Sequence, residues 1–174
     1  MPEKFSRHFL KSKETEAILN EASEKLKVDL KQLFNAKVNV ELVQTEFAEI
    51  YLIRGKPSFA KAEENIFPTL TFDEYSALLP KVVINMGAVP HVCNGANIMS
   101  PGIVRFEGEF KADDFVLVVD EKYGKPMAIG KIAYDSETVK KVAHGVVVKN
   151  MHHVGDRTWD FIKHFGSDST EAKS

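Results

Sequence analysis

The chain has 174 residues, 44% of them hydrophobic and 28% charged, which suits one ordinary globular domain or two small ones and excludes a chain too polar to fold. No apolar run is long enough to cross a bilayer as a helix, and the single cysteine, Cys93, excludes an internal disulfide or a cysteine-rich zinc site. A net charge of −2 and a pI near 6.3 exclude the strongly basic footprint of a non-specific nucleic-acid binder.

The start, Met1 to Phe5, lacks the apolar centre of a signal peptide, and with one cysteine the expected location is cytoplasmic. Lys4 to Phe9 reads as a first strand. Ser12 is the expected cap of an amphipathic helix carrying Ile18, Ala22 and Leu26, with Glu14 and Glu16 favouring its first turn. Leu30, Leu33 and Phe34 suggest a short second helix. Val38, Val40 and Leu42 then alternate as a half-buried strand should, followed by a strand from Phe47 to Ile53, a turn at Arg54 to Pro57 and a strand from Ser58 to Glu63. Of these, Phe47, Ile50 and Tyr51 are either core or a docking surface for a partner protein. Thr71 and Glu74 have capping-box spacing and predict a helix that Pro80 ends.

Val82 to Ile84 forms a short apolar run ending in Gly87-Ala88. Pro90 then stands where a first helical turn tolerates proline, and Gly95-Ala96 stops that turn. Beyond lie candidate strands Val104 to Phe106, Asp113 to Val119, Met127 to Ile132 and Gly145 to Met151. Asp135 is placed to cap one more short helix reaching Val142. Trp159 and Phe161 alternate with Asp160 and read as one apolar face closing a barrel, while 166–174 read as a disordered tail. The expected fold is an α+β N-terminal domain over 1–79 and a small mixed β-barrel with short helices over 80–165.

Residues 1–79 hold 11 Lys or Arg against 13 Asp or Glu, whereas 80–165 hold 11 against 10 and five of the six histidines. The second part is the better candidate for an anionic ligand, with Lys81, Arg105, Lys111 and Lys131 as a candidate basic face. Glycine and alanine at 87–88 and 95–96 leave little side chain between a ligand and the backbone amides, which suits phosphate. No carboxylate pair has acid–base spacing, and His91 and Cys93 lie close in sequence on a short helix without a motif for nucleophilic chemistry. His152-His153 lacks a third ligand at metal-site spacing, and neither an ATP-type phosphate loop nor a dinucleotide fingerprint is present. No enzyme, cofactor or metal site is expected.

Phe67-Pro68-Thr69-Leu70, Gly87-Ala88, Asn94 to Met99, Pro101-Gly102, Gly130, Val142 to Gly145 and Trp159 together resemble the PUA-domain proteins that carry a pre-PUA domain. The resemblance runs through 65–163, to archaeal members and to the eukaryotic translation factor named from T-cell malignancy. It implies a pre-PUA α+β domain, a PUA barrel, and binding of structured RNA, a tRNA or rRNA. The small ribosomal subunit and a translation-factor partner are the implied assemblies. The residues it marks for RNA are Gly87, Ala88, Asn94, Gly95, Ala96, Asn97, Gly102, Arg105 and Lys131. Two other roles fit the same residues: the tRNA-binding subunit of an RNA-modification complex, or a protein-interaction module that no longer binds RNA.

Overall fold

The computed structural model describes residues 4–34 and 37–171. They form two compact units. The first joins the chain up to Glu74 with the chain from Phe161 onward, and the second is Tyr75–Asp160. The expected division was after residue 79, and the return of the chain to the first unit was not expected.

In the first unit β1 (Phe5–Phe9), β2 (Val40–Thr45), β3 (Glu49–Ile53), β4 (Lys56–Ala62) and β5 (Asn65–Pro68) form an antiparallel sheet in chain order. Helix α1 (Ser12–Leu26) buries Ile18, Leu19, Ala22 and Leu26, the stripe that its apolar spacing predicts. Its cap position is Lys11 rather than Ser12, because the Glu14 carboxylate accepts the Lys11 amide at 3.0 Å and so closes the helix one residue earlier. Asp29 starts α2 (Leu30–Leu33) by accepting the amides of Lys31 and Gln32. The turn between β3 and β4 is only Arg54-Gly55, both at positive φ, so Lys56 and Pro57 belong to the strand. Glu63-Glu64 makes a second tight turn at positive φ, and β5 follows it. Ile50 and Tyr51 are buried, which resolves them as core.

The helix predicted from the Thr71 capping box is a single turn, α3 (Asp73–Ser76). Thr71 Oγ1 donates to the Pro57 carbonyl at 3.1 Å instead, so the hydroxyl pins β4 rather than capping a helix.

The second unit contains β6 (Lys81–Ile84), α4 (Val89–Val92), β7 (Ile98–Met99), a 3-10 turn at Ser100–Gly102, β8 (Ile103–Glu107), β9 (Phe115–Asp120), β10 (Pro126–Ile132), α5 (Ser136–Val139) and β11 (Val146–His153). The sheet runs β7-β11-β10-β9-β6-β8, with only β6 and β9 parallel. Its two outer strands, β7 and β8, are consecutive in the chain and joined by that three-residue turn. Six strands at about 4.8 Å spacing can have their edges so joined only if the sheet curls on itself, which gives the expected small mixed barrel. Val82, Ile84, Val92, Ile98, Val116, Val118, Ala128, Ile132 and Val148 fill it. Asp135 caps α5 by accepting the Thr138 amide, as expected.

The last element is α6 (Arg157–Glu171). Trp159 and Phe161 therefore lie on a helix, not on a closing strand, and the helix continues through much of the segment expected as a tail. Phe161 and Phe165 are four residues apart and stand on one helix face. Both pack edge-on against Phe5 of β1, and Phe161 also meets Phe47. They serve the first unit's core instead of the barrel. No helix among the described residues is long and apolar enough to cross a membrane.

Candidate nucleic-acid interface

The apolar run of β6 ends at Asn85, whose side chain builds the next turn. Its Oδ1 accepts the Ala88 amide at 2.9 Å, and its own amide donates to the Gly102 carbonyl at 2.9 Å. Gly87, Ala88 and Gly102 are thereby brought together. A Cβ on Gly102 would stand 3.1 Å from the Ala88 Cβ, so the two chain segments touch with no room for a larger side chain. The Ala88 and Val89 amides are spent inside the turn, whereas the exposed Gly87 amide has no acceptor among the described residues.

Helix α4 carries Pro90 in its first turn and ends at Cys93. The amides of Asn94 and Ala96 both donate to the His91 carbonyl, and Gly95 adopts φ +94°, a conformation that glycine supplies without strain. Asn150 of β11 fastens this second turn. Its backbone amide donates to Asn97 Oδ1 at 2.9 Å, and its Nδ2 donates to the carbonyls of Ala96 and Val92. Asn94, Gly95, Ala96 and Asn97 thus form one exposed, rigid turn at the far end of α4 from Gly87. Asn97 Oδ1 serves as a structural acceptor in it.

Arg105 and Lys131 stand apart from these turns. Arg105 lies on β8 and pairs with Glu107 at 3.1 Å, and Glu107 also stands in register with Lys81, so acidity interrupts the basic face expected there. Lys131 lies on β10 between Phe115 and Lys149 in register, its ammonium 5.3 Å from the Phe115 ring centre. Neither Lys131 nor Lys149 has an ion pair among the described residues. Lys149 was missed because nothing local distinguishes it from any exposed strand lysine; only the register shows the pair.

The two strands of the β9–β10 hairpin were expected, but its tip was not singled out. Asp120 holds its tip, accepting the Tyr123 amide on Oδ1 and the Lys125 amide on Oδ2, the latter at 3.1 Å. The Tyr123 amide, aided by those of Lys125, Lys122 and Gly124, outweighs burial and keeps this carboxyl below the usual aspartate range. Glu121 ties the hairpin to the first turn: its amide donates to the Ile84 carbonyl at 2.9 Å and its Oε1 accepts the Met86 amide at 3.3 Å. A charged turn with one tyrosine among lysines, between two apolar runs, was the available signal.

Cys93, weighed above as a nucleophile, and His152 and His153, weighed as metal ligands, each make local contacts. Cys93 Sγ lies 3.7 Å from Met127 Sδ; burial pushes the thiol up, and the Lys125 ammonium only partly offsets it, which disfavours a thiolate. His152 is 1% exposed with Nδ1 2.8 Å from Asp156 Oδ2, and the ring of His153 turns to the Val154 carbonyl. Among the described residues no group of three or more His, Cys, Asp or Glu is placed to hold a metal ion.

A five-stranded α+β unit, followed by a curled mixed sheet with a glycine turn at each end of one short helix, defines the class. Residues 80–154 match the PUA domain, and residues 6–73 match a domain of unknown function, DUF1947. The chain belongs to the family of PUA-domain proteins that carry this N-terminal domain. It is 35% identical to an uncharacterized protein of Methanocaldococcus jannaschii, across 89% of this chain and 96% of that one. It is also similar to Translation machinery-associated protein 20 of Eremothecium gossypii, at 31% identity over 79% and 80% of the two chains. Malignant T-cell-amplified sequence 1 of Rattus norvegicus is 29% identical over 75% of each. Among solved structures, a PUA-domain protein of Aeropyrum pernix, as a tartrate complex, aligns at TM-score 0.77 with 26% identity, covering 92% of both chains. A hypothetical protein of Pyrococcus horikoshii aligns at 0.69 with 35% identity, covering 89% of this chain and 98% of that one.

Proposed function

We propose that this protein is a non-enzymatic, cytoplasmic RNA-binding protein of the translation apparatus, whose second unit recognises structured RNA, a tRNA or rRNA. The observation that carries the reading is the pair of side-chain-poor turns at the two ends of α4, held rigid by Asn85 and Asn150. Rigid, exposed backbone free of bulky side chains suits recognition by shape and by the phosphate chain. Gly87 supplies an amide for a phosphate oxygen, Gly95 and Ala96 admit close approach, and Asn94 offers a free side-chain amide for a sugar or base edge. Lys131 adds charge. Arg105, partly neutralised by Glu107, contributes less. The translation-machinery names of the fungal and animal relatives support the setting, with the small ribosomal subunit and a translation-factor partner as the assemblies.

The test is a salt-dependent binding titration against total tRNA, small-subunit rRNA fragments and tRNA lacking its 3′ end. Saturable binding that discriminates among them and weakens with salt is expected. Binding that is absent, or equal for all three, refutes the reading.

A further inference from the structure

The hairpin tip Lys122-Tyr123-Gly124-Lys125 serves neither the barrel core nor the two glycine turns. Tyr123 is 72% exposed, so its ring contributes little to folding. The Lys122 ammonium lies 5.2 Å from the centre of that ring, and no other ring packs on it among the described residues. Neither Lys122 nor Lys125 forms an ion pair among the described residues. The tip is nevertheless rigid: Asp120 takes the Tyr123 and Lys125 amides, and the Gly124 amide donates to the Asp120 carbonyl at 3.1 Å. Its base is bonded on both sides of the turn that leads into Gly87, through the Glu121 amide and the Glu121 carboxylate. The Glu121 carboxylate accepts the Met86 amide at the base of the hairpin and keeps its charge, so the tip offers two lysines beyond one anion that is held back against the first turn.

We infer that this tip is a stacking arm for an unpaired nucleotide of the RNA bound at the Gly87 turn, with Tyr123 under the base and Lys122 and Lys125 on its flanking phosphates. The inference rests on the RNA-binding reading above and adds to it a preference for RNA with a single-stranded segment beside its helix. An aromatic ring with an exposed face, set between cations, is the arrangement that single-stranded nucleic acid uses, since every base has a face to stack. A rigid tip lowers the ordering cost that a flexible loop would incur on binding.

The experiment compares two RNAs: a stem-loop with a short unpaired extension carrying 2-aminopurine, and the same stem with a blunt end. The wild type is expected to bind the extended RNA more tightly and to quench its fluorescence. Tyr123→Ala is expected to lose roughly ten-fold in affinity for the extended RNA, with the quenching, while binding the blunt stem as the wild type does. Tyr123→Phe keeps both, because the ring and not the hydroxyl does the stacking. Lys122→Gln with Lys125→Gln is expected to flatten the salt dependence on the extended RNA. If the wild type binds both RNAs and Tyr123→Ala is indistinguishable from it, the stacking arm is refuted and the RNA-binding reading stands; a Tyr123 surface needed only to capture a protein gives this result. If the wild type binds neither RNA, both fall.

Discussion

Gly130 occupies the point where β10 slips in register against β11, between Ile129 and Gly130. A Cβ there would lie 2.4 Å from the Lys149 carbonyl oxygen and 2.5 Å from Val148 Cγ1, and backbone cannot yield as a flexible side chain does. Glycine in a strand often marks such a bulge or close approach, and here the backbone that would have to move also carries Lys149 and Asn150. Gly130→Ala is therefore expected to cost about 1–3 kcal/mol of stability, as overpacking usually does. Urea denaturation checks this: a lower midpoint with an unchanged slope is expected, and a wild-type midpoint would show that the strands can part cheaply. Gly95 is constrained differently, by its φ and by His153 Nε2 at 3.3 Å from a would-be Cβ. Both glycines stood out in the sequence. Their partners lie on a strand more than fifty residues downstream of Gly95, which no local pattern reveals.

The turn from β11 into α6 shows how an element boundary is built. Asp156 accepts the Trp159 amide at 2.7 Å as a helix cap, and its other oxygen takes the His153 amide at 2.9 Å while facing the His152 ring. Burial works to raise this carboxyl, but the His152 imidazole and the two amides hold it below the ordinary aspartate value. A group whose value is lower in the folded than in the unfolded chain adds stability above its unfolded value of about 3.9 and loses it as pH falls through the folded value. Asp156→Asn keeps a capping oxygen but removes this titration, so thermal unfolding followed from pH 7 toward pH 3 should show a shallower acid loss than the wild type. Parallel curves would mean that other carboxylates govern the acid limb. Elements with local signals were legible: the stripe of α1, the Asp135 cap, and the apolar runs of β9 and β10. Helix α6 was not, because Trp159 and Phe161 also fit a strand's alternation, and the period of four from Phe161 to Phe165 is cut short by Gly166. The two-residue β7 is held by pairing with the distant β11, and β5 follows β4 through a Glu63-Glu64 turn at positive φ that neither residue favours.

The chain as a whole carries a net charge of −2, yet the second unit sets Lys131 and Lys149 directly across from each other on β10 and β11. Like charges in register repel, by a few tenths of a kcal/mol up to about 1 kcal/mol, and no carboxylate among the described residues relieves them. Such an arrangement costs folding, and an anion bound between the two ammonium groups would offset that cost. Lys131 on β10 is one of the residues marked in the sequence, Lys149 faces it in register from β11, and Asn150, next along β11, fastens the Asn94 to Asn97 turn. Replacing both lysines by glutamine should leave the fold at least as stable as the wild type in thermal unfolding. The same variant should bind tRNA or rRNA more weakly at low salt, with the slope of log affinity against log salt reduced by about 1.5, as expected for two lost phosphate contacts. A stability loss would mean that the aliphatic stems pack more than the charges repel. An unchanged slope would remove the pair from the interface and leave RNA contact to the glycine turns alone.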